Sequence, residues 1–213
     1  MTHIQTLKAR QILDSRGNPT IETEVYTTSG SIGRASVPSG ASTGQREAVE
    51  KRDQDPAYYA GQSVMQAIDL IHRDLAPALY GLDSTEQAIL DQRLCDCDGT
   101  PDKSRVGANA ILSVSLAVAR AAAQCQNKPL YAYIAALHKP KQLSLPVPMM
   151  NILNGGAHAN NKLSMQEFMI IPQARTFSTA LHHGVIVFKQ LKRLLETHQL
   201  ATTVGDEGGF APM

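Results

Sequence analysis

Ile21, Thr23 and Val25 alternate with Glu22, Glu24 and Tyr26, the period-two pattern of a half-buried strand. Turn clusters at Asp14-Ser15-Arg16-Gly17-Asn18-Pro19 and Ser29-Gly30 divide residues 3–37 into three strands, which predicts an antiparallel meander. Pro38-Ser39-Gly40-Ala41-Ser42-Thr43-Gly44 has no apolar period and predicts an exposed loop. From about residue 56 to 137 the period lengthens, with Val64, Ile68, Ile71 and Leu75 on one helical face. Ser84-Thr85-Glu86-Gln87 predicts a capping box opening a second helix. Gly107 to Cys125 is alanine-rich and almost wholly apolar until Arg120, which predicts a helix buried on most sides. Residues 1–138 therefore read as an α+β domain.

The pattern changes at Lys139-Pro140-Lys141, where a second domain, residues 139–213, is expected to begin. Val147 to Leu153 and Phe168 to Ile171 read as strands, Ser178 to Thr197 as an amphipathic helix, and Ala201 to Val204 as a third short strand. Strand, strand, helix, strand is how a β/α barrel opens. The segment is far shorter than the roughly 250 residues such a barrel takes, so only an incomplete barrel is expected.

Composition narrows the function classes. The chain has 213 residues, 43% of them apolar and 18% charged, with a net charge of +1. No stretch gathers Lys and Arg as a nucleic-acid or membrane footprint does, so a small-molecule substrate is the expectation. Cys95, Cys97 and Cys125 are odd in number and lack the paired spacing of a zinc site, which favours a reducing, cytoplasmic setting. The run from Val106 to Ala119 is too short to span a bilayer, and no apolar leader opens the chain.

Candidate chemistry sits in three polar clusters at strand ends: Asn154-Gly155-Gly156-Ala157-His158, Gln166-Glu167-Phe168, and Asp206-Glu207 between glycines. Strand ends of a barrel converge on one face, so His158, Glu167 and Glu207 can meet across long sequence separations. Two carboxylates brought together split their proton affinities, as a general acid at neutral pH requires. Taken singly, each cluster also fits a solvated turn. Gly40-Ala41-Ser42-Thr43-Gly44 matches the G-x-S-x-G elbow of serine hydrolases, but that elbow needs a parallel sheet. A loop whose oxygens reach a hard metal ion or a substrate fits Ser42 better.

Together these segments resemble enolase. The resemblance is carried by Ile12-Leu13-Asp14-Ser15-Arg16-Gly17-Asn18-Pro19-Thr20, Val37-Pro38-Ser39-Gly40-Ala41-Ser42-Thr43-Gly44, Gly107-Ala108-Asn109-Ala110-Ile111-Leu112, Leu153-Asn154-Gly155-Gly156-Ala157-His158, Gln166-Glu167-Phe168-Met169-Ile170 and Val204-Gly205-Asp206-Glu207-Gly208-Gly209-Phe210-Ala211-Pro212, in that order. It implies a phosphopyruvate hydratase, a glycolytic lyase that interconverts 2-phosphoglycerate and phosphoenolpyruvate with two Mg2+ ions. By the same resemblance Glu207 is the proton donor, Glu167 its neighbouring catalytic carboxylate, His158, Gln166 and Glu167 substrate contacts, and Ser42 a ligand of the second Mg2+. A homodimer or higher oligomer is implied as well. Ser113 stands where the family usually has glycine, Asn160 where aspartate is common, and Met213 where asparagine is usual.

The family's proton-abstracting lysine, the carboxylates of its first Mg2+ and its phosphate-gripping groups come later than Met213. The chain is thus expected to be the N-terminal half of an enolase and inactive by itself. The alternative is a non-catalytic remnant that serves as an interaction or structural module.

Overall fold

The alternating segment forms three antiparallel strands, β1 (Ile4–Leu13), β2 (Pro19–Thr27) and β3 (Ile32–Ser36), in the order β1-β2-β3. They belong to a computed structural model that describes residues 1–40, 44–140, 142–205 and 207–213. The chain divides into two units, Met1–Lys141 and Gln142–Met213.

In the first unit one sheet face presents Ile21, Val25 and Ala35 to a long helix, α4 (Ala108–Cys125). Val114, Ala117, Val118 and Ala121 of that helix are fully buried in the same core. Its length and apolar composition suffice for a bilayer span, yet 61% of it is buried inside the unit, as befits a core helix. Ser113 is fully buried; its hydroxyl donates to the Ala110 carbonyl at 2.9 Å and accepts from Thr23 Oγ1 at 2.8 Å. The hydroxyl that replaces the usual glycine is therefore satisfied, which removes most of the cost of burying it.

Val64, Ile68, Ile71 and Leu75 line the core as their spacing predicts. The helix is not uniform: α1 (Met65–Leu70) passes through a π turn, Ile71–Leu75, into α2 (Ala76–Leu79). Pro77 has no N–H for the carbonyl one turn earlier, and the ladder widens around it.

The expected capping box is absent. α3 spans Gln87–Asp98 with Glu86 before it, and no side chain caps its start. Ser84 is drawn elsewhere, its N–H held by the Thr2 carbonyl at 2.9 Å while Ile4 N–H bonds to Leu82 O at 2.8 Å. Asp83 organises the approach, accepting from the Thr2 hydroxyl at 2.5 Å and the Thr85 N–H at 2.9 Å. Pairing with the start of β1 outweighs the local cap. α5 (Leu130–His138) closes the unit by burying Tyr133 against Ala119, Ala122 and Ala123.

On the other sheet face Glu24 is buried although its strand position reads as solvent-facing. Its carboxylate takes the Tyr26 hydroxyl at 2.8 Å, Arg10 Nη2 at 2.6 Å and Arg34 Nη2 at 2.6 Å. The Tyr26 hydrogen bond and the two guanidinium groups hold the carboxyl at about 2, against an ordinary value of 4.5. A carboxyl whose value falls on folding stabilises the fold above its unfolded value and loses that contribution as pH drops through the folded one. Thermal melts between pH 5 and 2 are expected to show declining stability, and Glu24→Gln is expected to be destabilised at pH 7 with a flatter acid limb. An unchanged limb in that variant contradicts this role for Glu24.

The second unit pairs β4 (Met150–Asn154) antiparallel with β5 (Glu167–Ile170), and α6 (Phe177–Thr197) follows, capped by Thr176 accepting from the Thr179 N–H at 3.2 Å. The first strand starts three residues later than Val147. Phe188 on α6 stacks on Phe210 with ring centroids 4.3 Å apart. Residues 201–204 do not form the expected strand: Val204 bridges only Phe210, and Ala211 N–H bonds to Thr203 O at 2.8 Å. The chain folds back on itself after the glycine turn and pairs locally. A parallel bridge, Leu153 to Phe210, links it to β4.

Candidate functional site

β4 ends at Asn154, and two glycines then let the chain turn sharply into the helical turn Gly156–His158. Gly155 is required there, since a Cβ would lie 2.5 Å from both Leu163 Cβ and Met165 O. This turn delivers His158, which is buried, beside the start of β5.

His158 Nε2 lies 3.0 Å from Gln166 Nε2, and Nδ1 lies 3.1 Å from Glu167 Oε1. An amide nitrogen only donates, so Nε2 accepts and the neutral ring carries its proton on Nδ1. The approach of Nδ1 to Glu167 is close but out of line for a hydrogen bond, and Nδ1 has no other hydrogen-bond partner. The ring is thus fixed at one nitrogen and keeps an unspent donor at the other, beside a carboxylate that is 28% exposed. Such a pair is a fixed polar group of the kind that orients a small polar substrate.

Glu207 is exposed on the glycine turn, which is closed by Gly205 N–H to Gly209 O at 2.8 Å and Gly208 N–H to Gly205 O at 3.0 Å. Among the described residues no hydrogen bond or ion pair holds its carboxylate. The turn is docked to the same cluster: Gly209 N–H bonds to Asn154 Oδ1 at 2.8 Å, and a Cβ on Gly205 would lie 2.6 Å from the His158 carbonyl. The structure therefore gathers His158, Gln166 and Glu167 by direct side-chain contact and brings in the Glu207 turn through its backbone. A hollow of about 630 Å³ opens beside His158, Asn160, Asn161, Thr203 and Gly205. Gln166, Glu167 and Glu207 do not line it.

Ser42 lies outside the described residues. Ahead of it, Ser39 is pinned by Arg16 Nη2 to its carbonyl at 2.8 Å and by its own hydroxyl to Glu50 Oε2 at 3.0 Å. The serine-hydrolase elbow loses its basis, because the sheet leading into this segment is antiparallel throughout. Motif reading includes Asn154 but gives it no role of its own; it is fully buried and bonded to three neighbouring segments. Its signal is an amide inside an apolar strand, directly before two glycines.

Residues 4–134 match the family model of the enolase N-terminal domain, and residues 142–213 that of the enolase C-terminal TIM barrel domain. An enolase of Acidothermus cellulolyticus is 56% identical over 213 residues, which is 100% of this chain and 49% of that protein. The chain thus spans about half the length of the curated relative. The matched segments take in most of the first unit, all of the second and the cluster around His158, and the chain belongs to the enolase family.

Proposed function

We propose that these residues form the substrate-contact and acid half of a phosphopyruvate hydratase, a lyase that interconverts 2-phosphoglycerate and phosphoenolpyruvate. The observation that carries the reading is the buried His158, fixed by Gln166 at Nε2 and facing the Glu167 carboxylate at 3.1 Å through Nδ1. In the forward direction the substrate loses the C2 proton and the C3 hydroxyl, leaving a C2–C3 double bond. Glu207 gives its proton to the departing hydroxyl, which leaves as water. Glu167 is the second carboxylate of the reading, held against the His158 ring. His158 and Gln166 hold the substrate. The reading assigns none of the described residues to removal of the C2 proton.

Mg2+ enters this reading through the family, with Ser42 as a ligand. The described residues do not by themselves suit it: no three of their His, Cys, Asp or Glu side chains are placed to hold a metal ion. A cytoplasmic location and a homodimer or larger assembly complete the proposal, the first supported by three free cysteines.

Titrating 2-phosphoglycerate into the chain while following the His158 ring by NMR tests the binding half. A saturable shift is expected, and the affinity measured by calorimetry is expected to fall about tenfold or more in His158→Ala, the scale of a lost charge-assisted hydrogen bond. No response at His158 sinks the reading.

A second reading, an interaction or structural module carried by residues 1–138, has one observation in its favour. The first unit holds a continuous apolar core, whereas in the second only Ala180, Leu195 and Phe210 are buried apolar residues among those described. Leu145, Val147, Met149, Ile171, Leu181 and Val185 are exposed. Limited proteolysis is expected to leave a stable core ending near residue 138. Uniform protection through residue 210 argues against an autonomous first domain.

A further inference from the structure

Two asparagines of β4, Asn151 and Asn154, reach the same backbone atom group. Residues three apart on a regular strand face opposite sides. A bulge between Asn151 and Leu153 shifts that phase. Both side chains then converge on Gly209, where a Cβ would lie 2.6 Å from Asn154 Oδ1 and 2.9 Å from Asn151 Oδ1.

Asn154 is fully buried and uses every polar group it has. Oδ1 accepts the Gly209 N–H at 2.8 Å and Nδ2 donates to the Gln166 carbonyl at 3.3 Å. Its main chain donates to Phe210 O at 2.8 Å and accepts from Asn161 Nδ2 at 2.9 Å. One side chain thereby ties the residue just before Glu167 to the residue two after Glu207. Stability alone does not ask for an amide here, since a buried amide gains little net even when satisfied and an apolar residue fills an apolar strand as well. What an apolar residue cannot do is hold a backbone N–H and a backbone C=O at a fixed spacing.

We propose that Asn154 is a positioning residue that sets the Glu207 turn against the cluster of His158, Gln166 and Glu167. The assignment of roles to those four residues rests on the reading given above; the clamp itself rests on the hydrogen bonds. A fixed spacing between the Gln166 carbonyl and the Gly209 N–H spares the reorganisation that a loose acid would need.

The test is amide hydrogen exchange at Gly209 in the 213-residue chain, joined to the response of the Glu207 carboxyl carbon to added 2-phosphoglycerate. Asn154→Ala is expected to speed Gly209 exchange about tenfold, as loss of one buried hydrogen bond implies, with core amides of the first unit unchanged. Asn154→Asp keeps an oxygen for Gly209 and is expected to restore its protection. With 2-phosphoglycerate, Asn154→Ala should respond at His158 but not at Glu207, and Asn154→Asp, which lacks the Nδ2 donor to the Gln166 carbonyl, should recover the Glu207 response only in part. Unchanged Gly209 exchange in Asn154→Ala overturns the proposal, as does a folded Asn154→Asp with Gly209 unprotected. Unfolding of both variants overturns it too, because Asn154 would then serve only the fold. If the unaltered chain ignores 2-phosphoglycerate, the substrate reading fails, and Gly209 exchange still decides whether Asn154 is the clamp.

Discussion

Gly33→Ala is expected to destabilise the first unit by about 3 kcal/mol or more, at the upper end of overpacking costs. A Cβ at this position of β3 would fall 2.0 Å from Ala117 O, 2.3 Å from Ala121 N and 2.9 Å from Ala121 Cα. All three are backbone atoms of α4, so no change of rotamer relieves the clash. The helix has to move off the sheet, and with it the contacts that Val114, Ala117, Val118 and Ala121 make in the core. Since a domain of this kind has only about 5–15 kcal/mol to lose, much of its stability is at stake. Gly30→Ala is the matched control: Gly30 has φ +84 with nothing within 4 Å of its missing Cβ, so only backbone strain of about 1 kcal/mol is expected. Denaturant unfolding of the two variants measures the difference. Equal costs contradict the close approach of β3 and α4.

The meander and the helical domain are legible in the sequence because their apolar periods agree with their burial. Ile21 and Val25 face the core, as do Ile68 and Leu75. Where the reading departs from the fold, a tertiary contact has displaced a local preference. Ser84 gives up its cap to pair beside β1, and residues 201–204 give up a strand to pair with the chain returning from the glycine turn. Glu24 is buried on a face that reads as polar, because Arg10, Arg34 and Tyr26 close over it from neighbouring strand positions.

The site divides in the same way. Gln166 is given a role only by the family resemblance, whereas the meeting of His158 with Glu167 is readable from polar clusters at strand ends. The part played by Asn154 is not, because it depends on a bulge that alternation alone does not reveal. The lesson concerns the residue type more than its position. An amide inside an apolar strand is a question about which backbone groups it serves.

The second large effect is a complete one. Dehydration of 2-phosphoglycerate needs a base at C2 and stabilisation of the charge that builds on the substrate carboxylate, as well as an acid at C3. Proton transfer from a placed acid is worth roughly 100- to 10,000-fold. Electrostatic stabilisation by fixed charges or metal ions is usually the larger contribution. The described residues hold candidates for the acid and for substrate contact, but no three-ligand metal set among their His, Cys, Asp and Glu side chains. Under the proposed function, residues 1–213 are expected to bind 2-phosphoglycerate without converting it.

The most direct measurement is phosphoenolpyruvate formation from 2-phosphoglycerate by the purified 213-residue chain with Mg2+ in excess. Binding at His158 with no turnover above the uncatalysed rate is the predicted result. Robust turnover by the chain alone would contradict the account, since base and metal site would then lie within these residues.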